Sequence, residues 1–82
     1  MIRVVVERTF PNPMSDADID AFGGREHACR AIYRVTWKRT LLSEDRKRVV
    51  CEFEAPDAES VRRVQRQSET EAERVWVAKV IE

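Results

Sequence analysis

Histidine, glycine, cysteine and proline are scarce in this 82-residue chain, which has one, two, two and three of them respectively. Most of these shortages remove a class of chemistry. The two glycines, adjacent at Gly23-Gly24, cannot supply a phosphate-cradling loop, and no nucleophile elbow occurs. Cys29 and Cys51 lack the Cys-x-x-Cys spacing of redox dithiols and metal clips. Charge of one sign is missing too: 15 basic and 15 acidic residues cancel, so no overall field draws the chain to nucleic acid or to an anionic membrane. No stretch approaches the ~20 apolar residues of a membrane span. The apolar run within residues 1–8 is far too short for a secretory leader, so the expected setting is a reducing cytoplasm with both thiols free. The length predicts one small domain, residues 1–82. A chain of this size buries only about 60–65% of the surface its unfolded form exposes, so a disulfide, a metal or a partner subunit would add stability.

What is present is a clear succession of elements. Ile2 to Arg8 is rich in β-branched residues and suits a central strand buried on both faces. Phe10-Pro11-Asn12-Pro13 breaks it. Ser15, followed by Asp16 and Asp18, starts a helix with acids at the positive end of its dipole. Ile19, Phe22, Cys29, Ile32 and Tyr33 carry helical spacing on to about Tyr33. Gly23-Gly24 weakens that helix by roughly 1 kcal/mol per glycine relative to alanine, and marks either a kink or the close approach of another backbone. Arg34 to Ser43 alternates, with Val35, Trp37 and Leu41 on one face and Thr36, Lys38 and Thr40 on the other; its basic residues suit an edge strand. Glu44 to Lys47 turns the chain into Val49–Ala55 and completes a hairpin. Pro56 cannot donate to a ladder and stops that strand. Asp57 then caps a helix to about Ser68, with Ala58, Val61 and Val64 inward and Arg62, Arg63 and Arg66 outward. Arg74 to Ile81 reads as a last strand.

Strand, helix, strand, strand, helix, strand is the split βαβ, ferredoxin-like pattern: an α+β sandwich of a four-stranded antiparallel sheet with two helices on one face. Both sheet faces nevertheless carry apolar side chains, Val4, Val6, Val49 and Cys51 against Val5, Val50 and Trp76. An apolar second face predicts a homodimer. The competing reading is that Arg3, Glu7, Glu52 and Glu54 make that face an ordinary solvated surface.

The reactive residues are few. Cys51 alternates with Val49 and Phe53 and reads as a buried core thiol; Cys29 lies on the apolar stripe of its helix. A metal site built from His27 and the cysteines lacks a third or fourth ligand at suitable spacing. Glu52 and Glu54 share a strand face, as paired catalytic carboxylates do, but opposite basic residues such as Lys38 they read as a cross-strand charge ladder. Arg46-Lys47-Arg48 with Arg62, Arg63 and Arg66 reads as a solvated face. RNA recognition on this fold needs aromatic residues on the two central strands; the first has none and the third only Phe53, so no nucleic-acid partner is expected.

Val4-Val5-Val6-Glu7-Arg8-Thr9-Phe10, Val35-Thr36-Trp37 with Ser43-Glu44-Asp45, and Cys51-Glu52-Phe53-Glu54-Ala55-Pro56-Asp57-Ala58-Glu59-Ser60-Val61-Arg62 together resemble one bacterial family. It is a family of small ferredoxin-like proteins of unknown function whose named member is a nickel-binding, nickel-responsive actinobacterial protein. The resemblance covers nearly the whole chain and implies a ferredoxin-like dimer, with nickel as the candidate cofactor. Many relatives carry histidines in the second helix, in a run resembling Val-His-Arg-Glu-Ala-His-Gly. Here Gln65 and Glu69 stand at those positions, so the nitrogen-rich ligand set that suits nickel is largely lost. His27 and Cys51 remain as metal candidates, with Glu54 beside them.

The leading expectation is therefore a non-enzymatic cytoplasmic homodimer that binds a small ligand or a nickel ion. An enzyme of the dimeric ferredoxin-like barrel type is the alternative, holding a small apolar substrate among Tyr33, Trp37, Phe53, Glu54 and Trp76. A closed pocket with a carboxylate, or Cys51 with a shifted pKa, would favour it. A protein-interaction module using the open sheet face is the third.

Overall fold

Six elements follow one another in the computed structural model, which describes residues 1–82: β1 (Ile2–Thr9), α1 (Asp16–Ile32), β2 (Thr36–Leu42), β3 (Arg48–Ala55), α2 (Ala58–Ser68) and β4 (Arg74–Ala78). The strands form one antiparallel sheet in the order β2-β3-β1-β4, so the two strands richest in β-branched and apolar residues are central. This is the expected ferredoxin-like arrangement. Val4 and Val6 of β1, Val49, Cys51 and Phe53 of β3, and Val61 and Val64 of α2 form one buried cluster.

Side-chain oxygens start both helices. Ser15 accepts from the Asp18 amide at 3.1 Å while the Asp18 carboxylate accepts from the Ser15 amide at 3.0 Å, a reciprocal capping box. Asp57 accepts from the Ser60 amide at 2.7 Å. Both helices end the same way as well. Arg34 (φ 59°) and Glu69 (φ 56°) take the left-handed conformation, and the next amide returns to the helix, Val35 to the Arg30 carbonyl at 2.8 Å and Thr70 to the Gln65 carbonyl at 2.9 Å. Neither stop uses glycine, the residue that adopts this geometry at least cost. Gly23 and Gly24 sit inside α1 with no positive φ, and no atom lies within 4 Å of where their Cβ would be. The pair therefore does not mark the close approach of another backbone. Gly24→Ala should raise stability by about 0.5–1 kcal/mol through helix propensity alone, measured as a higher midpoint in urea; a loss would mean that a side chain there meets something.

Three sequence expectations shift. Val35 belongs to the α1 stop rather than to β2, and is tucked under the helix end where such motifs place an apolar residue. In β2 a bulge intervenes between Trp37 and Arg39: Trp37 opposes Phe53, Arg39 opposes Glu52, and Lys38 is the extra residue. The side-chain phase inverts there, so Thr40 joins Trp37 on the helix side and Leu41 turns to the open face. β4 ends at Ala78, not Ile81, because Ala78 already pairs with Arg3 and the partner strand runs out one residue later.

The open face is a lattice of ion pairs. Glu52 meets Arg39 at 2.7 Å and Arg3 at 2.6 Å; Glu54 meets Arg3 and Lys38, both at 3.7 Å; Glu7 meets Arg48 at 2.9 Å. Arg39, then Arg3, hold the Glu52 carboxyl below the usual carboxylate range, and Arg48 with the Trp76 indole does the same for Glu7. Beneath this lattice Val5 is shielded, and Leu41, Val50 and Trp76, with Val80 and Ile81 beside Arg3 and Arg39, are apolar residues left for any second copy to cover.

Candidate functional site

The two helices sit differently on the sheet. α2 packs directly on β3 and β4. α1 lies against α2, and its only fully buried residue is an acid, Glu26. Its sheet-facing stripe reads Ile19, Phe22, Gly23, Glu26, Arg30, apolar in the first half and charged in the second. A stripe with so little apolar bulk cannot fill the space beneath it. A cavity of about 270 Å³ results, bounded by α1 above and by β1, β2 and β3 below.

Its walls are apolar: Phe10, Met14, Ile19, Phe22, Trp37 and Val49. Phe10 and Phe22 meet edge to face with centroids 5.7 Å apart. Outside the cavity Arg46 holds the Met14 backbone in place, its Nε donating to the Met14 carbonyl at 2.6 Å while its own carbonyl accepts the Met14 amide at 2.7 Å. The polar lining is Arg8, Glu26, Arg30, Thr40 and Cys51, with Asp20 exposed at the rim.

Arg8 and Glu26 are each 4% exposed. The Arg8 Nε donates to the Thr70 carbonyl at 3.1 Å, and its Nη2 donates to the same oxygen. Nη2 also lies 3.5 Å from Glu26 Oε2, and that carboxylate oxygen accepts from Thr70 Oγ1 at 2.8 Å. Three distant parts of the chain thus satisfy one another's buried polar groups, as burial of charge requires. The Arg8 guanidinium also lies over the Phe22 ring, 5.1 Å from its centroid. Arg30 Nη1 is 4.0 Å from the other Glu26 oxygen, outside hydrogen-bond range.

Cys51 lies beside this group, its Sγ 3.4 Å from Thr40 Oγ1. Burial pushes its thiol up, against opposing contributions from Thr40 and Arg8, so at neutral pH it is a protonated, weakly nucleophilic side chain. Glu26 turns Oε2 towards Arg8 at 3.5 Å and Oε1 towards Arg30 at 4.0 Å. The cavity thus holds a carboxylate beside two arginines and a thiol that burial keeps protonated.

The residues named from sequence are spread through the fold. Trp37 and Cys51 border the cavity. Phe53 is 1% exposed in the core under α2. Tyr33 caps the far end of α1, where its hydroxyl accepts from Gln67 Nε2 at 2.6 Å. Glu54 and Trp76 are on the open face, the Trp76 indole donating to Glu7 at 2.7 Å. His27 is exposed on α1, away from the cavity that Cys51 lines. No three His, Cys, Asp or Glu side chains gather anywhere in a way that would hold a metal. Gln65, at a position where the resemblance implies histidine, is buried, and its neutral amide lacks the imidazole nitrogen that suits nickel. The residues of this chain do not fit a nickel ion.

The charged lining, Arg8, Glu26 and Arg30, escapes the sequence reading because charged residues default to surface. Its signal lay in phase: Arg8 alternates with the core residues Val4 and Val6, and Glu26 follows Ile19 and Phe22 at seven and four residues.

A family profile described as "Nickel responsive protein SCO4226-like" matches residues 5–77. The crystal structure of SCO4226 from Streptomyces coelicolor A3(2) is similar with a TM-score of 0.87, over 98% of this chain and 99% of that one, at 14% sequence identity, which is a likeness of fold. Among curated proteins none matches the sequence.

Proposed function

The chain belongs to the SCO4226-like family of nickel-responsive proteins, and from that premise we propose that this member binds a small organic molecule, without catalysis, in the cavity under α1. One observation carries the reading: an apolar-walled space of about 270 Å³ ends on a buried, mutually satisfied Arg8–Glu26–Thr70 group rather than on packed side chains. Ligand pockets combine apolar walls with a few fixed polar groups, and this volume of about 270 Å³ falls just below their usual range of roughly 300–1,000 Å³, which suits a small ligand. Nickel, named in the family description, finds no ligand set here.

The two tryptophans make the test internal. Trp37 borders the cavity, its indole N–H held by Thr40 Oγ1 at 2.9 Å, while Trp76 lies on the opposite sheet face. In an NMR titration with single-ring fragments, the Trp37 indole N–H should move and that of Trp76 should stay. Calorimetry with nickel should give no stoichiometric binding. Nickel binding at one ion per chain, lost on His27→Ala or Cys51→Ala, would restore the metal reading; fragments that move neither indole would remove the cavity from consideration.

A further inference from the structure

We infer that the ligand is a small aromatic or branched aliphatic monocarboxylic acid whose carboxylate is received by Arg30; the inference rests on the cavity reading above. The argument is a count of charges and donors at the polar end. Two guanidiniums, Arg8 and Arg30, share a single carboxylate, Glu26. That carboxylate is already committed to Thr70 Oγ1 at 2.8 Å and to Arg8. Arg8 in turn spends Nε and Nη2 on the Thr70 carbonyl. Arg30 is left over. Its side chain is 16% exposed, and its nearest acid is 4.0 Å away, too far for a hydrogen bond. A guanidinium carries five N–H donors in a planar fork, and those of Arg30 have no hydrogen-bond partner in the protein but still reach solvent, so they are free to receive a ligand. The partner that matches that fork in shape and charge is a carboxylate, bound through two parallel hydrogen bonds.

The rest of the cavity selects within the anions. Asp20, the other acid on the lining, is ten residues before Arg30 on α1, about 15 Å along the helix axis, and sits exposed at the opposite rim. Between them the lining is Phe10, Ile19, Phe22 and Trp37; the other cation near this wall, Arg25, is exposed and already stacked on the Phe22 ring, 4.7 Å from its centroid. One carboxylate neutralises the one unshared cation of the lining and leaves its ring or branched chain against apolar walls, whereas the second charge of a phosphate would face those walls.

Phenylacetate and phenylacetamide have the same ring and linker and differ in charge. Phenylacetate should bind at least tenfold tighter, read by calorimetry and by the Trp37 indole N–H. Arg30→Met, which keeps the aliphatic stem, should abolish that preference while the amide binds as before. Arg30→Lys, which keeps the charge and loses the fork, should retain only part of it. Equal binding of acid and amide to the unaltered protein would overturn the carboxylate assignment and leave the cavity reading standing, as would inorganic phosphate competing equally well. Binding of neither ring compound would sink both.

Discussion

Arg8→Leu should destabilise the protein by about 3–5 kcal/mol, because it leaves Glu26 as a buried carboxylate without its closest cation. The loss has two parts of the same sign. Glu26 keeps only the Thr70 hydroxyl and the distant Arg30, and the Thr70 carbonyl loses the guanidinium that satisfied it. Domains of this size have a total stability of roughly 5–15 kcal/mol, so the variant would sit near the limit of folding. Its melting temperature should fall by about 4–8 °C for each kcal/mol. The double variant Arg8→Leu/Glu26→Leu separates this explanation from plain loss of packing. Removing both charges together should recover much of the loss, since apolar replacement of a whole buried pair is often neutral or stabilising. Urea denaturation of the two singles and the double gives the coupling directly. A single-variant cost under about 1 kcal/mol would mean that water in the cavity already solvates Glu26.

Phe53→Ala should cost a similar amount, about 3–5 kcal/mol, for an unrelated reason. Phe53 is 1% exposed at the centre of the sheet, paired with Val4 on one side and Trp37 on the other, and belongs to the cluster that includes Val61 and Val64 of α2. Truncation removes a ring from the one region where helix and sheet are fully packed, and the surrounding strands cannot collapse to close the void. A change below about 1 kcal/mol in urea unfolding would show that the packing under α2 is loose. Phe53 is absent from the cavity lining, so whatever fraction stays folded should still distinguish phenylacetate from its amide.

The two predictions mark how far sequence reasoning reached. Phe53 was legible: it alternates with Val49 and Cys51 in a strand that Pro56 stops and Asp57 follows with a helix cap, and all of these signals are local. The order of elements followed from equally local patterns. The phase of β2 was lost at Lys38, because one inserted residue inverts every later side chain and nothing in Trp37-Lys38-Arg39 announces it. Val35 and the end of β4 depend on a helix stop made without glycine and on where the partner strand ends, which are facts about other segments. Of the pocket residues named from sequence, Trp37 reaches the cavity, while Tyr33, Phe53, Glu54 and Trp76 went to three other places. Aromatic character marks candidates for a pocket without saying which face of the sheet will have one. The gap under α1 arises from bulk missing from that helix, visible only once the sheet is in place beneath it.

The left-handed stop at Glu69 has a consequence for how quickly the molecule comes apart. It delivers Thr70 to a junction with Arg8 and Glu26, residues 62 and 44 positions away in the chain. Such a junction closes only after the first strand, the first helix and the chain beyond the second helix have all arrived, so loop entropy places it late on the folding route. Interactions made after the rate-limiting barrier leave the folding rate almost unchanged and govern the rate of escape from the native state. In stopped-flow kinetics Arg8→Leu should therefore show a steep rise in the unfolding arm of the chevron over a nearly unaltered refolding arm. The group that lines the cavity would then act as the latch that sets the lifetime of the folded chain.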